Sequence, residues 1–201
     1  MNTGLKALKI SKEIAQKHHA EKIIAVTTAS FRKAKNVQVF IDKIKRETGI
    51  TVYIIDQELE GILGFEATKN QLNADPQDVV VWHIGGGSFQ FSALDRQGNW
   101  VAYRGVDASI PFKNHVIQHI KKQNLHSVTT PNPLTQTEME FARKHARLIA
   151  GKVDALLKEK IENSQVKVVG IGNIFAYGIY PLIGKKDSFT QKELLEKIQH
   201  L

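Results

Sequence analysis

The most informative segment of this sequence is VVVWHIGGGSFQ, residues 79–90. Five of its first six residues are apolar, and four of them are β-branched, which predicts a buried strand. The glycines and serine that follow expose consecutive backbone N–H groups, and such a concave loop can bind phosphoryl oxygens. The alternative interpretation of this loop is a tight hairpin turn, because residues 89–94 alternate as a second strand. The loop residues are Gly85, Gly86, Gly87 and Ser88.

The loop does not match the two common nucleotide-binding patterns. No Gly-Lys-Ser/Thr follows it, so it is not a Walker loop, and its contiguous glycines lead into a strand rather than a helix, unlike a dinucleotide fingerprint. After the second strand, residues 95–99 predict a turn and residues 100–104 a third strand, which together make a hairpin.

The rest of the chain alternates between strand and helix patterns, which indicates an α/β architecture. A loop marked by Pro76 and Asp78 precedes the glycine strand, and a division near residues 70–78 predicts a first lobe, 1–75, and a second lobe, 76–201. Further strands are expected at 22–28, which is apolar and β-branched and should be buried, and at 51–55 and 166–171. Helices are expected at 1–20, 30–48, 57–65, 112–124, 135–162, 174–182 and 191–201. Asp56 and Thr135 are predicted to cap two of these helices, and Gly49 to end one.

Composition excludes several classes of protein. With 42% hydrophobic and 24% charged residues among 201, the chain has ordinary globular composition. No apolar run approaches the roughly 20 residues that span a bilayer, and no secretory signal is recognisable. Cysteine is absent, which excludes disulfides and thiolate metal sites and fits a cytoplasmic location.

The charge balance favours an anionic partner. Lys and Arg total 28 against 20 Asp and Glu, which gives a net charge of +8. Such a balance suits nucleic acid, polyphosphate, a nucleotide or an acidic protein, and it also serves solubility alone. Nucleic acid is disfavoured because no recognition motif accompanies the charge.

Three other groups of residues could carry chemistry. Gly170 and Gly172 form a turn between a strand and a helix, an arrangement that binds anions but is also common in α/β folds. Arg32 follows a strand and could clamp a phosphate, or it could be a solvated cation. Glu58 and Glu60 begin a helix, where the helix dipole already favours acidic residues.

The histidine and aromatic residues are expected to have structural roles and not to bind a metal or nucleic-acid bases. His115 and His119 stand four residues apart and could share a helix face, but the eight histidines show no zinc-ligand pattern. Aromatic residues on the strands around the glycine loop are expected to pack in the core; they are Trp82, Phe89, Phe91, Trp100 and Tyr103.

Four segments resemble, in order and spacing, the exopolyphosphatase and guanosine pentaphosphate phosphohydrolase (Ppx/GppA) phosphatases. They are residues 24–36 (IAVTTASFRKAKN), 52–63 (VYIIDQELEGIL), 79–90 and 168–174 (VVGIGNI). The resemblance covers nearly the whole chain. It implies an actin-like (ribonuclease-H-like) ATPase-superfamily α/β fold, with an incomplete first lobe followed by a second lobe.

The resemblance also implies an activity and its residues. Members of this family remove terminal phosphates from inorganic polyphosphate or guanosine pentaphosphate with a divalent metal, usually Mg²⁺. Arg32 corresponds to the phosphate-contacting arginine and Glu60 to the glutamate that orients or deprotonates water. The phosphate loops correspond to Gly85, Gly86, Gly87 and Ser88, and to Gly170 and Gly172.

The sequence departs from the family pattern in ways that predict impaired activity. His83 and Gln90 replace an aspartate and a glutamate, although Mg²⁺ prefers carboxylate oxygens. The family's first strand and loop, D-x-G-S-N-S, and its last helix have no counterpart. The alternatives are therefore a non-catalytic binder of polyphosphate or a guanosine polyphosphate, and a protein-interaction remnant whose open face is covered by a partner or a second copy in a homodimer.

Overall fold

The computed structural model describes residues 2–199. The chain forms two compact units, Met1–Glu60 and Gly61–Leu201. The proposed lobes, 1–75 and 76–201, remain a prediction about how the protein is organised.

The first unit is built on two parallel strands. β1 (Ile24–Thr27) pairs with β2 (Thr51–Ile54). The helices are α1 (Asn2–Lys17), α2 (Ala29–Lys33), α3 (Val37–Thr48) and α4 (Gln57–Lys69), the last of which continues into the second unit. Its core consists of Leu5, Ile44, Ile50 and Val52.

Two predictions for the first unit are wrong. The single helix expected over residues 30–48 is two helices, because Ala34 takes an extended conformation (ψ 123°) and interrupts the helical backbone. The first strand is not buried: Ile24 and Val26 are 55% and 53% exposed. Side chains alternate along a strand, and only the face that carries Ala25 packs on the core.

The second unit contains a four-stranded sheet in the order β5–β4–β3–β6. Three strands are antiparallel neighbours, and β6 lies parallel to β3. The strands are β3 (Val79–Ile84), β4 (Phe89–Leu94), β5 (Trp100–Gly105) and β6 (Lys167–Ile171). The hairpin and the strand positions predicted around the glycine loop are confirmed.

Helices cover both faces of this sheet. Its core on one face joins Phe89 and Phe91 to Ile149 and Leu157, and on the other face Val79 and Val81 pack with Phe65 of α4. The helical segments are Pro76–Asp78 (3₁₀), α5 (Ser109–His115), Val116–Ile120 (π), α6 (Gln136–Gly151), α7 (Ala155–Glu162), Ile174–Ile179 (π), α8 (Tyr180–Leu182) and α9 (Gln191–Ile198). No helix between residues 2 and 199 is long and apolar enough to cross a membrane.

The long helix predicted over residues 135–162 is in fact α6 and α7. The chain leaves the helical conformation at Asp154, whose ψ is 148°. The helix expected at 112–124 begins earlier, at Ser109, and its helical backbone ends at Ile120. The expected ends of the first and last helices, at residues 1, 200 and 201, lie outside the described residues.

The predicted caps are confirmed. The Leu59 N–H donates to Asp56 Oδ1 at 2.7 Å at the start of α4, and Thr135 and Glu138 form a reciprocal capping box at α6. Gly49 ends α3 with a left-handed φ of 74°.

Candidate functional site

Arg32 and Glu60 form an ion pair in the first unit. Arg32 Nη2 donates to Glu60 Oε2 at 3.0 Å, and Arg32 Nη1 donates to the carbonyl of Ile55 at 2.7 Å. Their side chains are 21% and 8% exposed. The structure thus brings together two residues that the sequence separates by 28 positions.

The two parallel strands explain why Arg32 and Glu60 lie close together. α2 follows the carboxyl end of β1, and α4 follows the carboxyl end of β2. Because parallel neighbours end at the same edge of a sheet, the first turns of the two helices converge there. This edge is where open α/β sheets bind ligands.

The glycine loop is the turn of the β3–β4 hairpin, so the hairpin interpretation is confirmed. Gly85 N–H donates to the Ser88 carbonyl at 3.0 Å. The loop is anchored from outside because Ser109 Oγ donates to the Gly85 carbonyl at 3.0 Å and Ile110 N–H to the Gly86 carbonyl at 2.8 Å. A hairpin turn does not exclude phosphate binding, which remains a prediction for this loop.

Close packing explains one glycine of the loop. A Cβ on Gly86 would lie 3.1 Å from Ile110 Cδ1, and neither Gly85 nor Gly86 has a positive φ. Within residues 2–199, the N–H groups of Gly86 and Gly87 donate no hydrogen bond. These two donors could serve an anion.

The second glycine turn lies beside the end of β3. Gly172 has a φ of 107°, and a Cβ there would collide with the Ile84 carbonyl oxygen. A Cβ on Gly170 would collide with the ring of Phe175. Packing and backbone conformation therefore require both glycines, and their contact with phosphate remains a prediction.

Three polar side chains form a row across the second sheet. His83 pairs with Gln90, and Gln90 pairs with Arg104, on the adjacent strands β3, β4 and β5. Directly opposed residues of antiparallel strands lie on the same face. Gln90 is 0% exposed, and its Nε2 and Oε1 have no hydrogen-bond partner among the described residues.

This row does not suit Mg²⁺, the metal implied by the resemblance. Mg²⁺ requires oxygen ligands in near-octahedral geometry and is usually held by one or two carboxylates. The row offers an imidazole, an amide and a guanidinium, and the guanidinium repels a cation. In the described part of the chain, no three His, Cys, Asp or Glu side chains form a group that could hold a metal ion.

Sequence reasoning missed Arg104, although a signal was present. Once residues 95–99 are taken as the turn, counting outward along the hairpin places residue 104 opposite residue 90. The position of an arginine opposite residue 90, near the end of a strand, is therefore readable from the hairpin register.

Sequence reasoning also missed His145. Its ring stacks on His115 with centroids 3.5 Å apart, and the His119 ring is 4.9 Å from His115. Burial and the neighbouring His145 and His119 hold the pKa of His115 below its usual value. The predicted sharing of a helix face by His115 and His119 is consistent with this contact.

Comparisons with known proteins agree with this architecture. The model of the Ppx/GppA phosphatase family matches residues 1–201. An exopolyphosphatase from Cytophaga hutchinsonii superposes with a TM-score of 0.67 at 19% identity, covering 96% of this chain and 57% of its own. The Ppx/GppA family member of Aquifex aeolicus gives a TM-score of 0.60 at 21% identity, covering 96% of this chain and 56% of its own.

A curated relative matches a shorter region. The bifunctional 3-dehydroquinate synthase/phosphatase of Fusobacterium nucleatum is 33% identical over 97 residues, which is 47% of this chain and 15% of that protein. The chain thus spans little more than half of the solved relatives and a small part of the curated one.

The fold is that of an α/β protein and is shared with the solved Ppx/GppA and exopolyphosphatase structures. The chain belongs to the Ppx/GppA phosphatase family. The recognition and the fold class inferred from the sequence are confirmed.

Proposed function

We propose that this chain acts on the terminal phosphoanhydride of inorganic polyphosphate or guanosine pentaphosphate, and hydrolyses it slowly. The observation that carries the proposal is the Arg32–Glu60 ion pair, which joins a cation suited to phosphate with a buried carboxylate. Membership of a phosphatase family supports the reaction class.

The ion pair suggests how substrate could activate the base. A phosphate oxygen that pairs with Arg32 competes with the Glu60 carboxylate for the same guanidinium. Glu60 then orients a water molecule and accepts its proton as the water oxygen bonds to phosphorus. The anhydride P–O bond breaks, and the shortened chain leaves with the electron pair of that bond.

The glycine loop is proposed to bind phosphate within the second unit. Backbone N–H donors stabilise charge that develops on phosphoryl oxygens, and they do so without reorganising. We assign this role to Gly86 and Gly87, whose N–H groups make no other hydrogen bond within residues 2–199. Gly170 and Gly172 are also proposed to bind phosphate, although packing by itself already requires both glycines.

A low rate is expected from the missing carboxylates. His83 and Gln90 take the positions at which the family pattern has acids, and loss of one acid–base group typically costs about 10²–10⁴ in rate. No catalytic step is assigned to a metal, because the donors present do not suit one.

The test is phosphate release from long-chain polyphosphate and from guanosine pentaphosphate, each with and without Mg²⁺. Glu60→Gln should abolish release. Glu66→Gln is the matched control, because it makes the same change on an exposed position of α4, and it should release phosphate like the wild type. Equal release from wild type and Glu60→Gln would contradict the proposal.

A second candidate is binding without turnover. It is favoured by the specific replacement of two acids by His83 and Gln90, which leaves the loop and Arg32 in place. It predicts salt-sensitive binding of tripolyphosphate that Arg32→Ala weakens, with no phosphate released. Absence of binding at low salt would exclude it.

A homodimer is the third candidate, and the exposed face of the first sheet favours it. Ile24, Val26 and Tyr53 are each more than half exposed on β1 and β2. Solution scattering should then give the mass of two chains, and a monodisperse monomer would contradict the dimer.

A further inference from the structure

We propose that a surface cavity of the second unit binds a small organic anion, one that carries a carboxylate or phosphate group. The cavity lies where the helical backbone that begins with α5 ends, and its volume is about 540 Å³. Five polar side chains line it: Gln118, Lys122, Gln123, Asn124 and His126. The inference does not depend on the proposed hydrolysis, in which none of these residues takes part.

The cavity is separate from the glycine loop. α5 contacts that loop at its first residue, where Ser109 Oγ donates to the Gly85 carbonyl. Gln118 follows Ser109 along continuous helical backbone, and a rise of up to 1.5 Å per residue places it about 10 Å or more further on. A ligand in the cavity would therefore occupy a second site and not the glycine loop.

The charge around the cavity favours an anion. Residues 108–137 contain three lysines and three histidines but no aspartate or glutamate. Glu138, the acid that follows this segment, already pairs with Lys121 at 3.6 Å. The lining side chains comprise one ammonium, one imidazole and three amides, so they offer hydrogen-bond donors and no carboxylate that would repel an anion.

The lining side chains keep hydrogen-bonding groups available for a ligand. Within residues 2–199, the side chains of Gln118, Lys122, Gln123 and His126 make no hydrogen bond. Asn124 Oδ1 accepts from the His126 N–H at 2.8 Å, which leaves the Asn124 Nδ2 group as a further donor. The oxygens of one anion could accept from several of these groups at once.

Backbone hydrogen bonds hold the walls of the cavity in place. On the helix side, the Gln123 N–H donates to the carbonyl of the fully buried Ile117 at 2.9 Å. On the loop side, the Asn124 carbonyl accepts from the Ser127 N–H at 3.1 Å and from the Val128 N–H at 3.0 Å. Because this backbone is already ordered, binding would cost little further conformational entropy.

Lys122 has a strained backbone conformation. Its φ is 56°, in the left-handed region that glycine usually occupies after the end of a helix. A lysine is less stable there than a glycine, because its Cβ crowds the backbone. Such strain is characteristic of ligand sites, where the side chain has a role that offsets it. Among the five lining side chains, Lys122 supplies the charge that attracts an anion at neutral pH.

The experiment is an NMR titration of the isotope-labelled full chain, at constant ionic strength, with citrate, with glycerol phosphate and with glycerol. Citrate presents carboxylates, glycerol phosphate presents a phosphate, and glycerol is the neutral counterpart of the latter. One or both anions should shift the amide signals of residues 118–126, with a Kd on the order of 1 mM. The anion that does so identifies the group that the cavity recognises, and glycerol should leave these signals unchanged.

Lys122→Gly separates binding from folding, because it relieves the strain and removes the charge together. Its Tm should rise by about 2 °C, while its affinity for the anion should fall about fivefold, the loss expected for one exposed charge contact. Lys185→Gly is the matched control, since Lys185 also has a left-handed φ, 60°, but does not line the cavity. It should gain similar stability and keep the wild-type affinity.

Three results would overturn the inference. They are equal affinities in Lys122→Gly and Lys185→Gly, shifts with glycerol as large as those with the anions, and no shift of residues 118–126 with either anion. If glycerol phosphate shifted only the signals of residues 85–88, the cavity would be excluded as a site, and the phosphate-binding role proposed for the glycine loop would be supported.

Discussion

Replacing Gln90 by methionine should make this protein more stable. The Gln90 side chain is 0% exposed, and its two amide atoms have no partner within the described residues. Methionine has a similar volume and no group that needs a hydrogen bond, so it removes the unsatisfied amide without opening a cavity.

The magnitude follows from the cost of an unpaired buried group. A buried amide without hydrogen bonds costs about 1–3 kcal/mol in proteins, and Gln90→Met should recover about that much free energy of unfolding. For a chain of this size, each kcal/mol corresponds to about 2–4 °C in Tm.

Urea unfolding followed by tryptophan fluorescence is the suitable assay. Trp82 and Trp100 lie on β3 and β5, the strands on either side of Gln90, so their emission reports on this sheet. Gln118→Met, an identical change at an exposed position, is the control and should alter stability by less than about 0.5 kcal/mol.

A lower free energy of unfolding for Gln90→Met, with Gln118→Met unchanged, would refute this reasoning. It would mean that the amide is satisfied in the folded protein, for example by a buried water, and that its loss removes a favourable interaction.

Three further predictions concern other parts of the chain. Gly172→Ala should destabilise the protein by about 2–4 kcal/mol in urea unfolding, because φ is 107° there and a Cβ meets a backbone carbonyl; wild-type stability would contradict this. Burial and the stacked His145 lower the pKa of His115, so its contribution to stability is complete above about pH 6.5 and is lost as the pH falls through the lower folded value. The fall in free energy of unfolding between pH 7.5 and 5.5 should therefore be smaller in His115→Phe, and an equal fall would count against this contact. The hydrogen bond from Lys186 lowers the pKa of Glu193 to about 2, so the contribution of Glu193 to the stability of α9 is complete above about pH 4.5 and declines below it. Glu193→Ala should remove this acid dependence from the amide-exchange protection of α9. An unchanged pH profile in the variant would contradict this prediction.

Local chemistry explains why most elements could be predicted. The strands around the glycine loop follow from short apolar patterns, and the helix limits at Asp56, Thr135 and Gly49 follow from side-chain caps and a left-handed glycine. Each of these signals acts within about four residues, so no distant contact is needed to read it.

The interruptions of the helices were harder to predict. The patterns at residues 30–48 and 135–162 are compatible with continuous helices, because apolar spacing records which side is buried and not where the backbone turns. The breaks cover residues 34–36 and 152–154, include the extended Ala34 and Asp154, and have no proline to mark them.

The candidate site was also predictable from the sequence only in part. Arg32, Glu60 and the glycine loop could be named from sequence, because their residue types and order match a family pattern. Their pairing could not, since a salt bridge between Arg32 and Glu60 depends on two parallel strands ending at one edge. The stack of His115 on His145 likewise joins residues 30 positions apart on different helices.

For this protein, the amino-acid pattern alone determined the α/β class, the hairpin and the position of the glycine loop, because these depend on neighbours along the chain. Only the tertiary structure showed that Gln90 is buried without partners and stands between His83 and Arg104. Burial and hydrogen-bond satisfaction depend on every element packed around a side chain, and no local pattern carries that information.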